Sequence, residues 1–302
     1  MSASAGPDRR PPSTGAVVAA LVAVTAVWGS TFVVVKDAIE RMPVLAFLTW
    51  RFVLAALAMV VFRPRAVARL SRDGRRHGAL LGVALGAGYL AQTFGLRTAD
   101  AAVSGFITGM FVVFTPLAAA VLLRRAPGRS AWAAVVLATV GLGLLSLDGF
   151  QIGGGEALTL LCAVAFALHI VGLGEWSARH DAYALAVVQL AVVAAGCAIG
   201  AAAGGLSLPR DGSVWVALVV TALLATAVAF VVQTWAQAHL EPTRAAVIMT
   251  MEPVFAGVFA AVAGETFGAR KLAGSALILA AMLAVEIGPR HGAEGDVPRL
   301  ET

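Results

Sequence analysis

Trp28-Gly29-Ser30-Thr31-Phe32, followed by Trp50-Arg51-Phe52, lines up without a gap 138 residues later with Phe166-Ala167-Leu168-His169-Ile170 and Val188-Gln189-Leu190. Polar positions coincide in this register, Thr31 with His169 and Arg51 with Gln189. Further along, Gln92-Thr93-Phe94 matches Gln233-Thr234-Trp235 at an offset of 141, and Thr108-Gly109-Met110-Phe111 matches Thr250-Met251-Glu252-Pro253 at 142. Identities are few, but they keep their order and a nearly constant spacing, so the chain reads as a duplication. Five apolar stretches fall in each copy. An odd number means that the second copy enters a membrane from the opposite side, which makes the repeat an inverted one.

Composition carries the same message. Of 302 residues, 60% are apolar and only 13% charged, against about 25% charged in soluble domains, and the mean hydropathy is +0.88. Charges cluster between uncharged stretches of about twenty residues, the length that crosses a bilayer as helix. The stretches run approximately over 15–37, 43–62, 78–97, 101–123, 130–147, 155–175, 182–204, 213–238, 243–264 and 268–288. The expected fold is an all-α integral membrane protein of ten transmembrane helices, arranged as two inverted five-helix repeats. Residues 1–14 and 289–302 are read as cytoplasmic tails, 15–147 as the first repeat and 148–288 as the second. The 15–37 stretch is too long for a signal peptide and lacks an Ala-x-Ala exit, so it is expected to stay as the first span.

Orientation follows from the basic residues. With the N-terminus inside, one side collects fifteen Arg, six of them between Arg63 and Arg76, while the other collects six Lys and Arg, with Arg51 left within a span. Both termini are therefore expected in the cytoplasm. The Arg excess and high Ala content suit a GC-rich bacterial genome, and hence the bacterial cytoplasmic (inner) membrane. Cys162 and Cys197 lie in apolar stretches and read as packing residues, not as a disulfide.

The Trp28-Gly29-Ser30 and Trp50-Arg51-Phe52 elements, Thr250-Met251-Glu252-Pro253-Val254 and the Gly264-Glu265 pair resemble the EamA-type branch of the drug/metabolite transporter superfamily. The resemblance covers roughly residues 15–288. It implies a ten-helix permease with both ends in the cytoplasm that exports amino acids or other small metabolites. The first copy places Pro116 several residues later than the second places Pro253, so the two kinks are expected to be asymmetric.

Polar groups inside apolar spans are costly, and their placement is the best functional signal in such a chain. Arg51 costs about 2.5 to 3.5 kcal/mol there on insertion scales; it is either a substrate carboxylate anchor or a staple on backbone carbonyls. Glu252 precedes Pro253, which frees a backbone carbonyl, and is the candidate for a coupled proton or a ligand; a plain helix-to-helix hydrogen bond is the alternative. His169 and Gln189 sit at nearly the depth of Glu252. Thr31, Arg51 and Thr108 then bracket a substrate from the outer half, with His169, Gln189 and Glu252 below. Gln92 and Gln233 add amides, and Trp28, Tyr89, Phe94 and Trp235 are candidates for an aromatic wall. The expected substrate-binding set is Thr31, Arg51, Gln92, Thr108, His169, Gln189, Gln233 and Trp235. Gly82 with Gly86, Gly105 with Gly109, and Gly196, Gly200 and Gly204 have small-xxx-small spacing, which predicts close helix contacts within one copy or in a homodimer.

No P-loop, His-Glu-x-x-His, Cys-x-x-Cys or Gly-x-Ser-x-Gly sequence occurs, so neither ATP hydrolysis nor metal or serine chemistry is expected. The chain reads as no enzyme, with no cofactor and no nucleic-acid partner; its partners are a small-molecule substrate, the lipid bilayer and, for coupling, protons. Three functions remain open at this point: a carrier exporting small neutral or zwitterionic metabolites, a carrier expelling amphipathic toxic compounds, and a noncatalytic receptor or assembly subunit.

Overall fold

The structure, a computed structural model, describes residues 12–99, 101–124, 128–146, 153–202, 206–262 and 268–287. The expected tails, and also Gly204 and the Gly264-Glu265 pair, lie outside the described residues, apart from residues 12–14. Among the described residues there is no β-strand. The first half comprises α1 (Thr14–Arg41), α2 (Val44–Phe62), α3 (Arg72–Gly95), α4 (Ala101–Gly109), α5 (Phe111–Leu123) and α6 (Arg129–Ser146). The second comprises α7 (Gly154–Trp176), α8 (Ala182–Ala201), α9 (Gly212–Ala222), a π-helical turn (Leu223–Val228), α10 (Ala229–Gln237), α11 (Pro242–Met249), α12 (Met251–Val262) and α13 (Ala269–Ile287).

Helix starts follow local chemistry. Ser13, Ser71 and Asp181 precede α1, α3 and α8, and their side chains accept the N–H of Ala16, Gly74 and Ala184. Glu156 accepts the Gly153 N–H ahead of α7, and Pro242 opens α11, where a missing donor costs nothing. Six described helical stretches are long and apolar enough to cross a membrane: 14–41, 44–62, 72–95, 154–179, 182–201 and 212–237. Shorter apolar pieces lie at 107–123, 132–144 and 272–281. Val61, Phe62, Val121 and Ile199 are each more than three-quarters exposed, an apolar exterior that suits lipid and not water. The protein is a multi-pass membrane protein.

Two apolar stretches are broken in the middle. Residue Met110 separates α4 from α5 and Thr250 separates α11 from α12. These breaks lie 140 residues apart, in nearly equivalent places of the two copies, and neither is at a proline. This corrects the expectation of asymmetric kinks. Pro253 falls in the first turn of α12, where its missing N–H would have had no helical partner, and Pro116 is carried inside α5.

The halves pack across each other. On one end, the Arg41 guanidinium donates to Ser213 of the second half, while the Lys36 ammonium donates to the Ala99 carbonyl within the first; at that end α3 finishes where α7 begins, Gly155 lying so close that a Cβ there would stand 2.8 Å from the Gly95 carbonyl oxygen. On the Arg-rich end, the Tyr183 hydroxyl donates to the Met59 carbonyl at 2.7 Å, and Arg63 pairs with Asp181 at 3.7 Å while lying over the Tyr183 ring. Along the middle, α3 meets α8 through Gly78 and Gly82. The last helices of the two halves, α6 and α13, form the most extensive pair.

Candidate functional site

Between these elements lies a cavity of about 70 Å³, lined from both halves. The first half contributes Trp28 and Thr31 from α1, Arg51 from α2, Tyr89 and Gln92 from α3, Thr108 from α4 and Phe111 from α5. The second contributes Phe166 and His169 from α7, Phe230 and Gln233 from α10, Met249 from α11 and Glu252 from α12. Seven of the nine expected residues thus converge: Thr31, Arg51, Gln92, Thr108, His169, Gln233 and Glu252.

Arg51 is 3% exposed. Its Nε–H donates to Thr226 Oγ1 at 2.8 Å, one Nη lies 3.5 Å from the Tyr89 hydroxyl, and its guanidinium sits over the Tyr89 ring at 5.0 Å from the centroid. Such stacking offsets part of the cost of burying the cation. Tyr89 is the hub of the aromatic wall, edge-on to Phe52, Phe166 and Phe230. Gly88 makes room for this, because a Cβ there would collide with the Phe166 ring. Trp28 closes the wall against Phe230, its indole N–H held at 2.9 Å by the Ala225 carbonyl.

The neutral polar groups are partly tied. Gln92 donates to Thr108 at 3.2 Å, and His169 Nε2 stands 2.7 Å from Gln189 Oε1. Gln233 donates to Gln237, which itself donates to the Ile170 carbonyl, but Gln233 Oε1 is buried with no hydrogen-bond partner among the described residues. Glu252 makes no hydrogen bond or ion pair among the described residues, so the cavity contains an acid and a base that are not paired with each other.

Two expected residues fall elsewhere. Gln189 is fully buried behind His169 and touches the cavity only through it. Trp235 lies outside: its ring is tilted against His239, with centroids 5.5 Å apart, and lines a groove at the Arg-rich end with Arg63, Asp181 and Tyr183. Phe94, expected in the wall, lines a groove at the opposite end with Arg97. The reason is helical spacing. Phe230 and Gln233, three apart, share a face, whereas a residue two positions past Gln233 or Gln92 points away from it. The wall residues missed in the sequence were within reach of the same offset, since 141 pairs Tyr89 with Phe230. Thr226 had no such signal, its counterpart being Leu85.

A second cluster joins the halves at the Arg-rich end. His77 Nδ1 and His180 Nε2 are 2.9 Å apart, and the His77 ring stacks on Trp176 at 4.5 Å. Partial burial, and next the neighbouring His77, lower the His180 pKa from its ordinary value, against a smaller opposing pull from Asp73.

The sequence pattern of the EamA-like transporter family matches this chain twice, over residues 14–147 and 153–286. The chain belongs to the EamA-like transporter family. It is 34% identical over 269 residues to a protein of Archaeoglobus fulgidus described as an uncharacterized transporter, covering 88% of this chain and 84% of that one. A protein of known crystal structure shares the fold with a TM-score of 0.75 over 90% of this chain and 96% of its own, at 18% identity. The two family matches meet between residues 147 and 153, so both EamA repeats supply cavity wall, the first the larger share, with Arg51 coming from the first and Glu252 from the second.

Proposed function

We propose that this membrane transporter is a secondary carrier that exports small neutral or zwitterionic metabolites such as amino acids. The observation that carries the reading is the unpaired acid and base in one cavity. Arg51 offers donors to a carboxylate and Glu252 an acceptor to an ammonium group, and an occupant bearing both leaves the site with no uncompensated charge. The aromatic wall of Trp28, Tyr89, Phe166 and Phe230 takes the apolar part. Those same rings favour a second reading, efflux of amphipathic compounds.

Ten spans follow when the broken pairs α4 with α5 and α11 with α12 each count once, with α6 and α13 added to the six long stretches. Inversion of the repeats is supported by the contacts at one end: α1 finishes beside Ala99 and Ser213, where α7 starts beside Gly95. Two copies running in opposite directions around one cavity are the architecture of alternating access. Glu252 is the proton-coupling residue in this account, and both termini face the cytoplasm of a bacterial inner membrane.

The test is counterflow in proteoliposomes preloaded with unlabelled L-amino acids and diluted into a radiolabelled mixture. A carrier accumulates label transiently, and Arg51→Leu reduces the uptake by at least about tenfold, the equivalent of one charge-assisted hydrogen bond. Absence of counterflow, or an undiminished Arg51→Leu variant, would overturn the proposal.

A further inference from the structure

The π-helical turn at Leu223–Val228 interrupts an otherwise apolar helix that contains neither proline nor glycine in that segment. Wide turns of this kind are rare and occur mostly at functional places, so something outside the helix has to favour this one. Two side chains from other helices end on it. Trp28 donates its indole N–H to the Ala225 carbonyl, and Arg51 donates Nε–H to the Thr226 hydroxyl. Both side chains line the cavity.

Thr226 is also unlike the other threonines that donate back along their own helix. Among the described residues, Thr25, Thr31, Thr221 and Thr250 donate to the carbonyl three residues before them, and Thr49, Thr115, Thr139 and Thr159 to the one four before. Thr226 reaches five back, to Thr221, at 2.8 Å. A hydroxyl has a single proton. Because the Thr221 carbonyl takes it, the Thr226 oxygen is left as an acceptor aimed at Arg51, and both threonines are fully buried. We propose that Thr226, held by the π turn, is the positioning residue for Arg51: it occupies Nε and leaves the two terminal nitrogens as the fork offered to a carboxylate. The same turn fixes the Trp28 wall, so one irregular turn of the second half sets two cavity groups of the first.

This inference rests on Arg51 as the carboxylate anchor, and its test separates the two. Thr226→Val keeps the shape and removes the acceptor; Thr226→Ser keeps the acceptor. In amino-acid counterflow, Thr226→Val raises the half-saturation concentration about tenfold with the saturated exchange rate within twofold, and Thr226→Ser restores the wild-type value. Independently of any substrate, protein labelled with ¹⁵N-arginine gives a slowly exchanging Nε–H resonance that Arg51→Lys removes, that Thr226→Val shifts or lets exchange, and that Thr226→Ser retains. An unchanged resonance and unchanged half-saturation in Thr226→Val would overturn the proposal, as would a saturated rate that falls with half-saturation unaltered. If counterflow is absent while the resonance still depends on Thr226, positioning of Arg51 stands and the transport reading fails.

Discussion

Glycine-to-alanine substitution at two places on touching helices isolates the packing that joins the halves. Gly82 on α3 faces α8, where a Cβ would fall 2.7 Å from Val192 Cβ and 2.8 Å from the Gln189 carbonyl oxygen. Backbone oxygen cannot rotate out of the way, so the helices must part by several tenths of an ångström, an overpacking that costs about 1 to 3 kcal/mol. Gly196, on α8 itself, would place its Cβ in open space. Both substitutions gain the same helix propensity, up to about 1 kcal/mol, so it cancels in the comparison. At about 2 to 4 °C per kcal/mol, Gly82→Ala should melt about 2 to 12 °C below Gly196→Ala in detergent micelles followed by circular dichroism. Gly196→Ala should melt at or slightly above the wild-type temperature. Equal melting of the two variants, or a lower value for Gly196→Ala, would refute the close α3–α8 approach. Because the Gln189 side chain bonds His169, the Gly82 variant should also weaken substrate binding in the adjacent cavity.

Glu252→Gln removes the proton site and keeps the shape and an acceptor oxygen: exchange between equal substrate pools should persist at a raised half-saturation concentration, because the ammonium loses its charged partner, while uphill transport driven by a pH gradient disappears, and uphill transport surviving in the variant would remove Glu252 from the proton path. The lowered His180 pKa means that the native state resists protonation there, so thermal stability should fall as pH drops from about 6.5 toward the lowered value. Melting the wild type and His180→Gln between pH 7.5 and 5 should show a shallower acid slope in the variant; identical slopes would discard the His77–His180 contact as a source. A cysteine at Ser71, the exposed cap of α3, should be labelled in intact cells only by a permeant reagent, and labelling by an impermeant one would reverse the orientation.

Much of this was legible because apolar length and charge spacing are strong signals in lipid. Six of the expected stretches coincide with helices long and apolar enough to cross a membrane; α3 starts six residues early, at Arg72, and the overrun of α1 to Arg41 is explained by polar ends: Lys36 finds the Ala99 carbonyl, and Arg41 pairs with Asp37. Periodicity could not locate the breaks at Met110 and Thr250, since both interrupt continuous apolar runs, and only the first has a glycine, Gly109, beside it. The π turn has neither glycine nor proline to mark it, and the side chains that meet it, Arg51 and Trp28, lie on other helices. Spacing motifs carried less. Gly82 does make a close contact, whereas a Cβ at Gly105 or Gly196 would meet nothing within 4 Å among the described residues, because small-residue spacing marks a helix that permits approach, not the face on which a partner arrives. The offset that paired the glutamines led to Gln233 in the cavity but carried Trp235 with it, although two residues along a helix turn the side chain to the other side.

In an alternating-access carrier one cavity serves both faces of the membrane in turn. With Cys162 and Cys197 replaced by alanine, Thr31→Cys introduces a single thiol in the cavity wall at nearly unchanged volume. A membrane-impermeant maleimide applied separately to right-side-out and inside-out vesicles should modify it from either face, and saturating transported amino acid should slow both reactions. Modification from one face only, unchanged by any substrate that exchanges, would contradict alternating access through this cavity.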